Sequence, residues 1–362
     1  MRYLSLGLAL VVLLAAGAQF LTPRIYPSPS LGPQQTVQTI NPKIGVHLRL
    51  NGTGDEAALA EQLSQVREMG ATWVVDLFPW AYIQPRGPRS YDWRGADLLV
   101  AHARQQGLQI IARLDIVPAW ARDNNTTDRR IDPAYYDDFA RYAAAFAARY
   151  RDQVRYLVIW NEPNLFFEWG SREPDPGAYA ELLKIVYPAV KQANPDMQIA
   201  AGGLSPGPSI PGIRLDDLTF LRGMLAAGAP FDVLAIHSYG AQAPADQEPH
   251  PDRVNFRRVE VYRDVLKAAG QAKPLIVTEG GWNDHPRWSG AVTPADRLRW
   301  TVEAYRLSAT WPDVVAVCFW QFRAPTTHSY QDNFNFVAAD GTPKAIYWAI
   351  REYATGRAAD EQ

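Results

Sequence analysis

Two glutamates carry most of the chemical content of this chain. Glu162 stands in Trp160-Asn161-Glu162-Pro163-Asn164, and Glu279 in Thr278-Glu279-Gly280-Gly281-Trp282. Each follows a short apolar, β-branched run, so each is expected at the C-terminal end of a strand. Two carboxyls held about 5–5.5 Å apart can cleave a glycosidic bond with retention, one as nucleophile and the other as proton donor. A glutamate among apolar and aromatic neighbours has its charged form disfavoured and can keep the proton. Trp160 and Pro163 flank Glu162 in that way.

Other side chains could serve the same chemistry. His237-Ser238-Tyr239 places a His and a Tyr on one face of a strand. Alone, His237 reads as a satisfied core histidine; with Tyr239 beside it, a functional use is the better reading. Asp76 and Asp115 could bind substrate hydroxyls or be tied up in ion pairs with Arg49 or Arg113. The chain has 12 Trp and 17 Tyr. Trp80, Trp120, Trp169, Trp282 and Trp288 fall in loops, where rings divide between core packing and walls for sugar faces. The six histidines form no His-x-His or His-Glu-x-x-His pair, so no metal site is expected, nor any organic cofactor. Cys318 is the single cysteine, which excludes an internal disulfide, and its apolar surroundings read as core.

Bringing such residues together needs a particular scaffold. From Ile44 onward, short β-branched runs alternate with amphipathic stretches. Strands are expected at 44–49, 72–77, 109–114, 156–160, 198–201, 233–237, 275–279 and 314–320. Helices are expected at 56–68, 95–106, 133–150, 176–193, 215–227, 255–269, 294–309 and 343–353. Strict alternation of eight and eight predicts a (β/α)8 TIM barrel in one domain, spanning 43–356. Parity supports closure: Gly45, His47 and Arg49 share a face, as do Ala235, His237 and Tyr239, and Ala316, Cys318 and Trp320. Each set runs from small residues to functional side chains at the end where barrel active sites form.

Trp-Asn-Glu-Pro-Asn after a fourth strand and Thr-Glu-Gly-Gly-Trp after a seventh resemble the clan A glycoside hydrolases. The segments Asp76…Trp80…Ile83-Gln84-Pro85 and Pro118-Ala119-Trp120-Ala121 resemble family 39 within it, which includes β-xylosidases and bacterial exopolysaccharide endoglycosidases. The resemblance covers nearly all of 43–353. It implies a double-displacement mechanism, with Glu162 as acid/base and Glu279 as nucleophile. It also implies that Asn161 bonds the sugar 2-hydroxyl, that Tyr239, paired with His237, orients the nucleophile, and that Trp320 floors the −1 subsite. Asp76, Trp80, Trp120 and Trp282 join them as substrate-binding candidates. In one respect the chain departs from the pattern. An Arg beside the nucleophile is usual at the end of strand 2, where this chain reads Val75-Asp76-Leu77-Phe78, so Arg49 or Arg113 must supply that charge.

Composition bounds the remainder. A net charge of −2 argues against nucleic acid as a partner; the expected partner, an oligo- or polysaccharide substrate, is what the resemblance implies. Arg2 followed by an apolar run and Ala16-Gly17-Ala18 makes 1–22 a cleaved signal peptide or an uncleaved membrane anchor, and the enzyme extracellular or held on the outer face of the membrane. Residues 23–42 read as a Pro/Ser/Gln-rich linker and 357–362 as a polar tail. Asn51-Gly52-Thr53 and Asn125-Thr126-Thr127 match the glycosylation pattern. Two other functions compete: a carbohydrate-binding barrel without turnover, and a transglycosidase using the same residues.

Overall fold

The computed structural model describes residues 31–52, 54–324 and 330–356. The expected signal or anchor, the first part of the expected linker, the polar tail and part of the loop after the eighth strand lie outside them. Among the described residues, no helix is long and apolar enough to cross a membrane.

Eight parallel strands close into a barrel in sequence order. They are β1 (Ile44–His47), β2 (Trp73–Leu77), β3 (Gln109–Leu114), β4 (Tyr156–Ile159), β5 (Gln198–Leu204), β6 (Val233–Tyr239), β7 (Leu275–Gly281) and β8 (Val314–Phe319). The ring closes where Ile44 pairs with Val317 and Val46 with Phe319. One main helix follows each strand: α1 (Glu56–Glu68), α2 (Arg94–Gln105), α3 (Tyr136–Arg149), α4 (Pro176–Ala193), α5 (Asp217–Ala226), α6 (Arg258–Ala268), α7 (Pro294–Ala309) and α8 (Ala345–Thr355). The expected barrel is therefore the observed one. Helix starts obey local chemistry. Asp55, Asp175, Asp216 and Thr293 each accept a bond from a first-turn amide, and Pro176 and Pro294 stand in first turns where no N–H is needed.

Boundaries differ in instructive places. β1 ends at His47, two residues short of Arg49, and β4 ends before Trp160, because both chains leave the sheet to build the mouth. The helix expected from Pro133 begins as a one-turn 3-10 segment, Pro133–Tyr135, before α3. The expected linker is partly docked: the Gln35 amide donates to the Gln105 carbonyl, Ile40 to Ala354, and the buried Asn41 side chain to the Tyr305 carbonyl.

Two apolar layers result. Val75, Ile111, Tyr156, Val158, Ala200, Val233, Ala235, Ile276, Ala316 and Cys318 fill the barrel interior. A larger cluster, with Leu63, Leu99, Phe146, Leu183, Phe220, Tyr262, Tyr305 and Ile350, joins the sheet to its helices. The expected burial of Cys318 is met. The interior layer is the floor on which the polar residues of the C-terminal mouth stand.

Candidate active site

Strand ends place the chemistry. β7 carries one residue more than β6 between neighbouring pairs, since Ile236 pairs with Val277 but His237 with Glu279. This bulge at Thr278 breaks the two-residue alternation and turns Glu279, not Thr278, to the same side as His237. A matching irregularity in β5 lies between Gly202 and Leu204. Gly203 there has φ +67, and a Cβ on it would come within 3.2 Å of His237 Nε2. Glycine suits both the left-handed backbone and the close approach of the imidazole.

Beyond β4 the backbone is strained. Trp160 has φ 72 and Glu162 φ 39, conformations that cost side-chain-bearing residues energy and gather at functional sites. Three bonds hold the turn: Trp160 N–H to the Leu114 carbonyl at 2.9 Å, Glu162 N–H to the Gly203 carbonyl at 3.0 Å, and the Trp160 indole N–H to the Glu168 carbonyl at 2.9 Å. The result aims Glu162 at the barrel axis. One carboxylate oxygen each of Glu162 and Glu279 and a ring nitrogen of His237 all lie within 4.8 Å of one another.

The two carboxyls sit in different surroundings. Glu279 Oε1 accepts from Arg113 Nη1 at 2.8 Å, and Oε2 from the Tyr239 hydroxyl at 2.9 Å. His47 Nε2 lies 3.7 Å from Oε1, and His237 Nδ1 3.7 Å from Oε2. Burial works against the ionised form, but His237, Arg113 and the Tyr239 hydroxyl outweigh it and hold the carboxyl down to about 2. Of these, Arg113 is the firmest cause. His47 is itself pushed down to about 3 by burial, so it is a neutral dipole at neutral pH. Its Nδ1 faces the Leu48 carbonyl at 2.8 Å and so carries the hydrogen, leaving Nε2 to face Arg113 at 3.4 Å. Glu162 instead meets His237 Nδ1 at 2.9 Å, close enough for the two to share one proton. Despite burial, which opposes it, Glu279 and Glu162 raise the His237 pKa and favour its protonated form. The Tyr239 hydroxyl is raised well above its usual value by burial and by Glu279, so it stays a donor.

The missing arginine is therefore Arg113 of β3. Its Nη1 also donates to Asn161 Oδ1 at 2.8 Å, which turns the Asn161 amide nitrogen toward the cavity as a donor. Its Nε lies 3.2 Å from Asp115. Asp115 is 3.2 Å from Arg129, which is 2.9 Å from Glu168. Burial, with Glu162 as a like-charged neighbour, pushes the Glu168 carboxyl up to about 7 against the pull of Arg129. The Arg129 and Glu168 end of this network was not legible in the sequence; Glu168 is simply one acid in an aromatic loop, six residues past Glu162. Replacing Arg113 by Met leaves Glu279 and Asp115 buried with weakened pairing, an expected loss of about 3–5 kcal/mol. Glu279 now contributes stability above the ordinary carboxylate range, lost as pH falls toward about 2. Without Arg113 its carboxyl rises, so acid unfolding should begin at higher pH; an unchanged denaturation profile between neutral and acid pH would count against this pairing.

A cavity of about 510 Å³ opens over these groups. Asn161, Glu162, Tyr239, Glu279, Trp282 and Trp320 line it, joined by Phe167, Glu168, Trp288, Tyr330 and Phe334. Trp320 meets His47 edge-on at 4.7 Å. Trp282 is almost wholly buried, its indole N–H bonded to the Ala243 carbonyl at 2.8 Å, so only an edge reaches the cavity. His237 is buried behind the carboxyls rather than on the lining.

Four candidates fall elsewhere. Trp80 is fully buried, stacked on Tyr142 with its indole N–H on Gln84 Oε1 at 2.6 Å, and Trp120 meets it edge-on with its own N–H on the Gln84 carbonyl. Both rings serve the outer core, where their area is worth more than on the mouth, so they present no face to a sugar in this cavity. Trp169 likewise packs against Trp160 and Tyr179. Asp76 is buried and accepts from the Leu50 and Leu77 amides at 2.9 and 2.7 Å, which fixes the chain leaving β1. It borders a neighbouring cleft instead.

Among the described residues, Glu162, His237 and Glu279 form the one group with donor atoms close enough to surround a cation. The same atoms are already engaged: His237 with Glu162, and Glu279 with Arg113 and Tyr239.

No protein-family model matches the chain, and no curated protein does. Solved structures do. A family 39 glycoside hydrolase from the gut symbiont Bacteroides cellulosilyticus WH2 superposes with a TM-score of 0.68 at 22% identity, over 87% of this chain and 64% of that one. A family 39 enzyme from Xanthomonas axonopodis pv. citri gives 0.64 at 19% identity, over 91% and 71%. A β-glycosidase gives 0.62 at 17%, over 91% of this chain and 99% of its own. The chain thus spans just under two thirds of the first of these. The chain shares the fold of these glycoside hydrolases.

Proposed function

We propose that the protein is a retaining β-glycosidase acting by double displacement, with Glu279 as nucleophile and Glu162 as acid/base. The observation that carries this is the pair itself: carboxylate oxygens within 4.8 Å, in unlike surroundings. Retaining enzymes separate the two carboxyls by about 5–5.5 Å, whereas inverting ones leave about 6.5–9.5 Å for a water. Glu279, held ionised by Arg113 and Tyr239, attacks the anomeric carbon. Glu162 gives its proton to the departing glycosidic oxygen, and His237, at 2.9 Å, holds that carboxyl in place. A glycosyl ester on Glu279 results. The now ionised Glu162 takes a proton from water, whose oxygen attacks the same carbon and releases Glu279. Asn161 donates to the sugar 2-hydroxyl, a bond that strengthens as the ring flattens. Trp320 supplies the ring on which the sugar rests.

The apolar, Arg2-led N-terminus supports an exported enzyme, and so a glycan outside the cell as its substrate. The test is stereochemical. Proton NMR of a β-glycoside digest should show the β-anomer first, and a 2-deoxy-2-fluoro glycoside should leave its sugar on the peptide bearing Glu279. Initial release of the α-anomer, or a label elsewhere, would overturn the assignment.

A further inference from the structure

The charges around the cavity are matched, with one exception. Arg113 is bonded to Glu279 and Asn161 and lies 3.2 Å from Asp115; Arg129 is paired with Asp115 and Glu168. Glu162 has His237, and Glu279 has Tyr239 as well as Arg113. Arg49 also lines the cavity, yet among the described residues it has no hydrogen bond and no acidic partner; its guanidinium carbon stands 5.8 Å from the centre of the Trp320 ring. That ring is the proposed sugar floor.

The position of Arg49 is also a junction. A second cleft, of about 460 Å³, is lined by Arg49, Arg122, Arg129, Tyr82 and Asp128, so Arg49 belongs to both openings. Tyr82 there is an exposed ring. The acids of the second cleft are Asp76, tied to two backbone amides, and the exposed Asp128. Arg49 is an exposed side chain beside the Trp320 ring, and its guanidinium carries the planar fork of donors that carboxylate and sulfate oxygens match. A neutral hydroxyl gains much less from such a group than a carboxylate or sulfate does.

We infer that the glycan taken by this site bears an anionic substituent, a carboxylate or a sulfate ester, on the sugar over Trp320 or the one beside it, and that Arg49 pairs with it. This rests on the reading of the cavity as a glycan site, and it names the class of glycan. The site then discriminates in favour of acidic polymers, with Arg49 as the residue that sets the preference.

Calorimetric binding tests it without requiring turnover. The probes are β-1,4-linked gluco- and manno-tetrasaccharides, each prepared neutral, as the 6-carboxylate and as the 6-O-sulfate, against the full-length protein and its Arg49→Gln and Arg49→Lys variants. At least one charged member should bind about tenfold or more tightly than its neutral parent at low salt, with the advantage shrinking as salt rises. Arg49→Gln should collapse that ratio, and Arg49→Lys should restore part of it. The carboxylate and sulfate arms separate the two sources of charge. Equal or weaker binding of every charged member, or a ratio untouched by Arg49→Gln, overturns the inference. Arg49-dependent binding without any hydrolysis would overturn the proposed catalysis and leave this inference standing.

Discussion

Glu279→Gln is expected to lower kcat/KM on an aryl β-glycoside by about 10⁴-fold or more, with the protein still folded. The amide keeps the volume; its oxygen can still accept from Arg113 while its NH2 group can donate to the Tyr239 oxygen, so the strand end stays in place. It cannot form the glycosyl ester. Arg113 retains Asp115 nearby, which limits the loss of stability. Shortening the residue further, to Ala, vacates the face from which it attacks. Added azide should then enter from that face and yield the α-glycosyl azide from a β-fluoride donor. Steady-state kinetics and the anomeric configuration of the azide check this together. Activity within tenfold of wild type would remove Glu279 from the chemistry.

The second large effect belongs to Glu162, and its signature is dependence on the leaving group. Glu162→Ala removes proton donation to the departing oxygen, so substrates with alkyl or sugar leaving groups should slow by about 10²–10⁴-fold. A dinitrophenyl glycoside, whose leaving group needs no proton, should form the intermediate at nearly the wild-type rate. Its hydrolysis then stalls for want of a base, giving a burst of phenol and slow turnover. Azide should accelerate that turnover and give the β-glycosyl azide, the opposite anomer from the Glu279→Ala product. A loss equal across all leaving groups would mean that Glu162 positions the substrate instead.

The asymmetry between the two carboxyls arises from what surrounds them. Glu279 receives a guanidinium and a phenol hydroxyl on separate oxygens, and both interactions favour its charge. Glu162 receives an imidazole, a partner that can take or return a proton. The Arg113 network then continues through Asp115 and Arg129 to Glu168, so Glu279 and the far wall of the cavity belong to one electrostatic unit. Substitutions along it should not be additive.

Several features of this protein are present in the sequence alone. The barrel was legible because its signal is local and repeated: β-branched runs and amphipathic helices alternate eight times, and closure is their simplest solution. The placement of Glu162, Glu279, His237, Tyr239 and Trp320 at or just past the C-terminal ends of strands was legible because each follows or closes an apolar, β-branched run. What the sequence left open depends on contacts between segments far apart along the chain. Arg49 and Arg113 were equal candidates until strand register brought Arg113 to Glu279 and left Arg49 over Trp320. Trp80 and Trp120 look like any loop tryptophans until the fold gives them Tyr142 and Gln84 to pack against. Most telling is β7. Counting by twos from Ile276 points Thr278 into the barrel and Glu279 away from it; the bulge against β6 reverses them. A bulge is settled by how two neighbouring strands pair, which no property of either strand read singly can express.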